Sequence, residues 1–143
     1  MKTILIFISL LLSTNSCHNN ITKNRQTASM DYEYYSRGSY HKVAINNQVV
    51  AIYDNRDAIK PNVEKKITDT NYALLINELE KLNFDAIATY NDPTQKRFYD
   101  GAPIAVLIIK HNNVDYKSKT FDHGDPPAEL KKLVDTINEI AAL

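Results

Sequence analysis

The stretch that decides the fold is Ile104-Ala105-Val106-Leu107-Ile108-Ile109, followed by Lys110-His111-Asn112-Asn113-Val114-Asp115-Tyr116-Lys117-Ser118. The first six residues are apolar, rich in β-branched side chains and too short for a helix of their own, which predicts a strand covered on both faces. Asn112 and Asn113 tolerate positive φ, the requirement of a two-residue type I′ hairpin turn. That turn sets a register in which Lys110 faces Asp115, Ile109 faces Tyr116, Leu107 faces Ser118 and Ile104 faces Phe121. Beyond the hairpin comes Phe121-Asp122-His123-Gly124-Asp125-Pro126-Pro127. Pro126 pushes Asp125 towards extended geometry, so Asp125 is expected to cap a helix with Pro126 at its first position. Leu130, Leu133, Val134, Ile137 and Ile140 then recur on one helical face.

The upstream chain shows the same pattern. A hairpin is expected around Asn46-Asn47, with Val43, Ile45, Val50 and Ile52 on its better core face. Residues 54–67 are charged and interrupted by Pro61, so they read as a connection. A helix is expected to begin near Thr68, bury Tyr72, Leu75, Ile76, Leu79 and Leu82, and stop around Asn83, a residue able to cap in the left-handed conformation. Two hairpin-helix units predict an α+β two-layer sandwich: a four-stranded antiparallel sheet with two helices on one face, in the order ββαββα. Residues 84–101 form an unusually long connection, and Phe84, Ile87, Phe98 and Tyr99 suggest that it packs down on the domain.

The chain has 143 residues, 43% of them hydrophobic, which is enough for one domain with one modest core. Its charges balance at 17 basic against 17 acidic, so nothing electrostatic favours nucleic acid or an acidic membrane surface. Lys2 followed by the apolar residues 4–12 makes a segment too short for a permanent membrane helix. The single cysteine, Cys17, follows shortly after, preceded by the small residue Ser16.

Residues 1–17 resemble a bacterial lipoprotein signal, departing from its usual pattern at Thr14, where Leu is commonest. The resemblance implies a signal peptide over 1–16 and an acylated Cys17, the alternatives being an ordinary cleaved signal peptide with a free thiol or an uncleaved anchor. The polar residues that follow, rich in Asn, Thr and Lys, read as a flexible tether over 17–35 before a single domain over 36–143. The resemblance places the protein in the cell envelope, lipid-anchored; residues 18–20, His-Asn-Asn, lack an aspartate that would argue for inner-membrane retention, which favours the outer membrane facing the periplasm. A lone cysteine forms no internal disulfide, so stability has to come from packing. From Ser36 onward, Ser36-Arg37-Gly38, Tyr99-Asp100-Gly101-Ala102 and Phe121-Asp122-His123-Gly124 with Pro126-Pro127 resemble small bacterial lipoproteins of uncharacterised function with a hairpin-helix-hairpin-helix domain. That likeness carries no activity.

Chemistry is sparsely signalled. The sequence has no glycine-rich phosphate loop, no Cys or His pair at metal spacing, no Gly-x-Ser-x-Gly elbow and no nucleotide fingerprint, so neither a cofactor nor a metal is expected and no residue is nominated as catalytic. The densest polar group is Asp122-His123-Gly124-Asp125, open to reading as a helix-start joint, a metal or anion site, or an oriented imidazole base. Arg37 and Asp100 each stand beside a glycine at a strand entrance, so a sheet can bring them to one edge; with Asp122 and His123 they form a candidate polar site. Tyr32, Tyr34, Tyr35 and Tyr40 either cover core or form an aromatic patch. With the helices on the Leu107 and Ile109 side, Ile104, Val106, Ile108 and Phe121 line the opposite face, a candidate interaction face unless residues 84–101 or the tyrosines cover it. The leading expectation is a membrane-tethered binding or envelope-interaction module with an envelope protein as partner. A small hydrolase or metal-dependent site at the strand ends and an inhibitor of a periplasmic enzyme are the alternatives.

Overall fold

The computed structural model describes residues 28–142. An antiparallel sheet is built from β1 (Ser29–Ser36), β2 (Ser39–Asn46), β3 (Val49–Tyr53), β4 (Val63–Lys66), β5 (Ile104–His111), β6 (Val114–Lys117) and β7 (Phe121–Asp122). The strand order is β4-β3-β2-β1-β5-β6, and β7 also pairs with β5. Two helices, α1 (Asp69–Glu80) and α2 (Lys131–Ala142), bury their apolar residues in one cluster with Met30, Tyr32, Val43, Ile45, Val50, Leu107 and Ile109. The α+β class, the antiparallel sheet and the helix pair are as expected. The sheet has seven strands rather than four.

The longest of the three added strands is β1, which lies between β2 and β5 and joins the two hairpins. The segment expected as tether ends in this strand from Ser29 onward, while its residues 17–27, with Cys17 and the signal over 1–16, lie outside the described residues. Met30 and Tyr32 are buried against the helices, whereas Asp31 reaches the opposite face and pairs with Lys110 of β5 at 3.0 Å. That alternation is what a strand with one covered face requires. The second addition, β4, is a charged edge strand within the expected connection, and its Lys65 and Lys66 suit an edge that must not recruit another strand.

Both asparagine turns form. Asn112 and Asn113 have φ of 52° and 61°, as type I′ geometry demands, and the upstream turn uses Asn47 and Gln48 at 45° and 66°. Val43 pairs with Ile52 and Ile45 with Val50, which puts the expected face in the core. In the second hairpin Ile109 faces Tyr116 and Lys110 faces Asp115, as the turn dictates. The register then slips. Ser118 donates its N–H to the Leu107 carbonyl, and its hydroxyl accepts the Leu107 N–H at 3.0 Å, where a ladder carbonyl would otherwise stand. Past this bulge Ala105 faces Phe121 and Ile104 faces Asp122. Phe121 therefore lies in the helix-side core, fully buried, and not on the opposite face.

Helix α1 starts where expected, with the Thr68 hydroxyl accepting from the Asn71 N–H at 3.2 Å. It ends at Lys81 in right-handed geometry, and Asn83 instead caps the 3₁₀ turn Phe84–Ala86 by accepting from the Asp85 N–H. The second helix begins at Lys131, after Pro126-Pro127, because the second proline disfavours helical geometry at the first. Asp125 does not cap it. Its N–H closes a turn onto the Asp122 carbonyl and its carboxylate pairs with Lys96 at 2.7 Å. The expected apolar face, from Leu130 to Ile140, is nevertheless the buried one.

Candidate functional site

Asp122 organises one end of the sheet. Pairing with Ile104 turns its side chain to the face away from the helices, and there it is completely buried. Its carboxylate accepts from the Thr94 hydroxyl at 2.5 Å, the Lys96 N–H at 2.6 Å, the Arg97 N–H at 2.9 Å and the Arg97 guanidinium at 3.1 Å. Burial works to raise the carboxyl pKa, but these donors outweigh it and hold the group at about 2. The amides of Lys96 and Arg97 open the second 3₁₀ turn, Lys96–Tyr99, so a carboxylate from a distant strand caps it. Arg97 also meets Asp92 at 2.7 Å and donates to the Thr94 carbonyl at 3.1 Å. Gly101 closes the turn with its N–H on the Lys96 carbonyl, so near that an added Cβ would stand 3.2 Å from that oxygen.

This fixed turn borders a cleft of about 660 Å³ lined by Tyr35, Arg37, Arg97, Asp100, Pro103 and Ile104, among others. That volume lies within the range of about 300–1,000 Å³ typical of ligand sites. Arg37 and Asp100 meet across it at 3.8 Å, and both side chains are open to solvent, at 92% and 75%. Asp100 holds a left-handed φ of 57°, a conformation aspartate tolerates better than most residues. Phe98 and Tyr99, expected to pack down, are instead exposed at 66% and 81%. Arg56 stands over the rings of Tyr35 and Tyr40 at 4.9 and 5.1 Å, extending a cationic and aromatic strip along the same end. Burial and the neighbouring Glu33 push Tyr40 up to about 12.

The four residues of the candidate polar site fall on two faces. Arg37 and Asp100 line the cleft and Asp122 anchors its floor through Arg97, but His123, one residue further along, points to the helix side. There it stacks on Tyr34 at 3.8 Å between ring centroids, and Tyr34 stacks in turn on His41 at 4.9 Å. Tyr32 and the His123 Nδ1 share a hydrogen bond of 2.8 Å, and the His41 Nδ1 meets Asp54 at 2.8 Å. Burial, with a smaller contribution from His41, lowers the His123 pKa, and burial raises those of Tyr32 and Tyr34. Of the candidate interaction face, Phe121 is core, Val106 is buried at 5% exposure, and Ile104 and Ile108 are partly exposed, Ile104 within the cleft.

Among the described residues no group of three or more His, Cys, Asp or Glu is placed to hold a metal ion. The His41–Asp54 pair is an oriented imidazole of the kind used in proton transfer. The cleft instead offers apolar rings beside exposed donors and acceptors, a composition suited to binding. Arg97, Thr94 and Asp92 escaped the sequence reading. Arg97 is the only arginine after Arg56, which could have flagged it, whereas its partnership with Asp122 depends on the bulge after β6. No protein-family model, no curated protein and no solved structure matches the chain.

Proposed function

We propose that the protein is a membrane-tethered binding module that presents the Arg37–Asp100 cleft to a partner in the envelope. The observation that carries this reading is the pair of exposed rings, Phe98 and Tyr99, on a turn fixed by the buried Asp122. Exposed aromatics on a preorganised support lose little freedom when they bind, so their apolar area converts efficiently into affinity.

The tether supports the same reading. Acylation of Cys17 would anchor the chain at the outer membrane, facing the periplasm, and residues 17–28 reach at most about 40 Å from it. The tether joins β1 at Ser29, whereas Tyr35 and Ser36 of the cleft lie at the other end of that strand, about 23 Å away at the usual rise per residue. Both asparagine turns sit at the Ser29 end, so the cleft, the aromatic strip and the histidine column lie towards the opposite end of the sheet, away from where a tether to Cys17 would join. Such polarity suits a partner beyond the anchoring membrane.

Two measurements on full-length protein from its native cells test this. The mass of the Cys17 peptide should show two or three acyl chains, and an unmodified thiol overturns the tether. Crosslinking should recover a reproducible partner that the Phe98→Ala/Tyr99→Ala variant loses while it stays folded. Undiminished capture by that variant removes the cleft from the reading.

A further inference from the structure

The chemistry of the cleft also defines a ligand class, resting on the reading of the cleft as the binding surface. Its charges are internally matched. Arg37 faces Asp100 at 3.8 Å, Arg97 is held by Asp92 and Asp122, and Lys96 pairs with Asp125. Arg56, beside the cleft, is the one neighbouring cation with no carboxylate partner among the described residues, and it is held over the Tyr35 and Tyr40 rings. A single such group is a weak anchor for a polyanion on a chain whose formal net charge is zero. What the cleft does offer is a set of mixed polar groups between apolar surfaces. Arg37 and Asp100 are too far apart for a tight hydrogen bond and almost fully solvated, so guanidinium donors and carboxylate acceptors stand side by side with capacity to spare. Arg97, only 7% exposed on its side chain, lines the cleft with a buried Nε that has no hydrogen-bond partner. Tyr35, with Arg56 over its ring, and Ile104 line the cleft. Phe98 and Tyr99 are exposed just outside that lining, on the turn between Arg97 and Asp100, with one face of Phe98 against the Arg97 guanidinium.

We propose that the cleft binds an uncharged glycan chain through sugar rings stacked on Phe98 and Tyr99 and hydroxyls bonded by Arg37 and Asp100. A pyranose ring presents both features the site asks for: an apolar C–H face and, around its rim, neighbouring hydroxyls that each donate and accept. A carboxylate accepting from one hydroxyl while a guanidinium donates to the next uses Asp100 and Arg37 as they stand. An extended proline-rich peptide would use the rings as well. Its carbonyls are acceptors only, and with no backbone N–H on proline it leaves Asp100 without a donor. The matched charges and the free carboxylate together favour the sugar.

The test is titration of full-length protein in detergent with a panel of uncharged hexasaccharides, α- and β-linked glucose and β-linked N-acetylglucosamine, followed by ring and amide chemical shifts. A decaproline-based peptide serves as the rival probe. One saccharide should bind, shifting the Phe98 and Tyr99 resonances. Phe98→Ala/Tyr99→Ala should weaken it at least tenfold, and Asp100→Asn and Arg37→Ala should each weaken it several-fold, with unchanged circular dichroism. Binding that survives the aromatic double substitution, or binding of the peptide and none of the saccharides, overturns the proposal. If no saccharide binds, yet the double variant still loses its crosslinked envelope partner, the glycan assignment fails and the cleft stands as a protein-binding surface. If the variant also keeps that partner, both readings fail together.

Discussion

The two ends of the connection between α1 and β5 are alike in composition and opposite in fate. Phe84 and Ile87, at its start, enter the core, and the Phe84 ring packs at a tilt against Tyr116, 5.1 Å between centroids. Phe98 and Tyr99, at its end, stand in solvent. Both aromatic-bearing turns are 3₁₀ and both are fixed by a side-chain oxygen, Asn83 in the first and Asp122 in the second. The difference lies in what fixes them. The first is held by its neighbours in sequence and by apolar burial. The second is held by a buried carboxylate from β7, so the Tyr99 ring is left open and the Phe98 ring meets only the Arg97 guanidinium, 4.5 Å from its centroid. Rigid support with apolar surface left over is the physical signature of recognition rather than stability.

The largest effect should therefore come from Asp122. Asp122→Ala takes the acceptor from the Thr94 hydroxyl and two part-buried amides and leaves the Arg97 guanidinium to Asp92 and the Thr94 carbonyl. Breaking a buried pair from one side costs about 3–5 kcal/mol. Urea denaturation should show that loss, and the Phe98 and Tyr99 resonances should broaden as the turn loosens. A loss under about 1 kcal/mol would show that the turn is held by other means and would remove the contrast between the two ends.

The next effect should come from the apolar end. Ile87→Ala removes buried methyl groups from the core and should cost about 2–5 kcal/mol by the same measurement. Tyr99→Ala should change stability by no more than about 0.5 kcal/mol, the bound for surface changes away from any cap, cavity or buried partner. Phe98→Ala, which also removes the ring against the Arg97 guanidinium, should change it by about 0.5–1 kcal/mol. Equal losses at both ends would place the exposed rings in the core.

The same contrast states what was legible beforehand. The downstream asparagine turn, the core face of the first hairpin and the apolar stripes of both helices follow from local chemistry and formed as read, whereas the upstream turn formed one residue later, at Asn47-Gln48, and Tyr72 is only partly buried. The strand β1 was hidden because Asp31, Glu33 and Tyr35 alternate with Met30, Tyr32 and Tyr34, and two acidic residues beside a polar tail look like linker. Its period of two was present, but only knowledge of the strands on either side shows that it is central. The slip after Ser118 was not legible, because a hydroxyl replacing one ladder acceptor leaves no mark in hydropathy. That slip moves Phe121 into the core and Asp122 onto the other face. It dissolves the expected polar site into two, and it creates the Asp122–Arg97 contact on which the cleft depends.

Acid separates the two faces more gently. Asp122 has its folded pKa lowered to about 2 from an ordinary 3.8, so its contribution is complete above pH 3.8 and is lost as pH falls towards 2. His123 has its folded pKa lowered from 6.5 by burial, so the folded state takes up its proton less readily than the unfolded chain does. Its contribution is present above pH 6.5 and declines as pH falls below that value. Stability followed against pH should thus fall in two stages, and His123→Gln should remove the upper one while leaving the lower intact. A profile flat from pH 7 to 5 would mean that the Tyr34 stack tolerates the imidazolium.

The smallest effect on stability should belong to Arg37 and Asp100, and that smallness is itself informative. Exposed pairs of this kind contribute roughly 0–1 kcal/mol, because water screens the attraction and holding two long side chains together costs entropy. Arg37→Ala should shift the urea midpoint barely at all, in high or low salt. A pair that contributes so little to the fold, set beside two exposed rings and above a buried ion pair that fixes them, has no structural reason for its placement. Loss of ligand by Arg37→Ala without loss of stability would identify the pair as part of the binding surface, whereas a destabilisation above about 1 kcal/mol would return it to the edge of the sheet as an ordinary clasp between the β1–β2 turn and the start of β5.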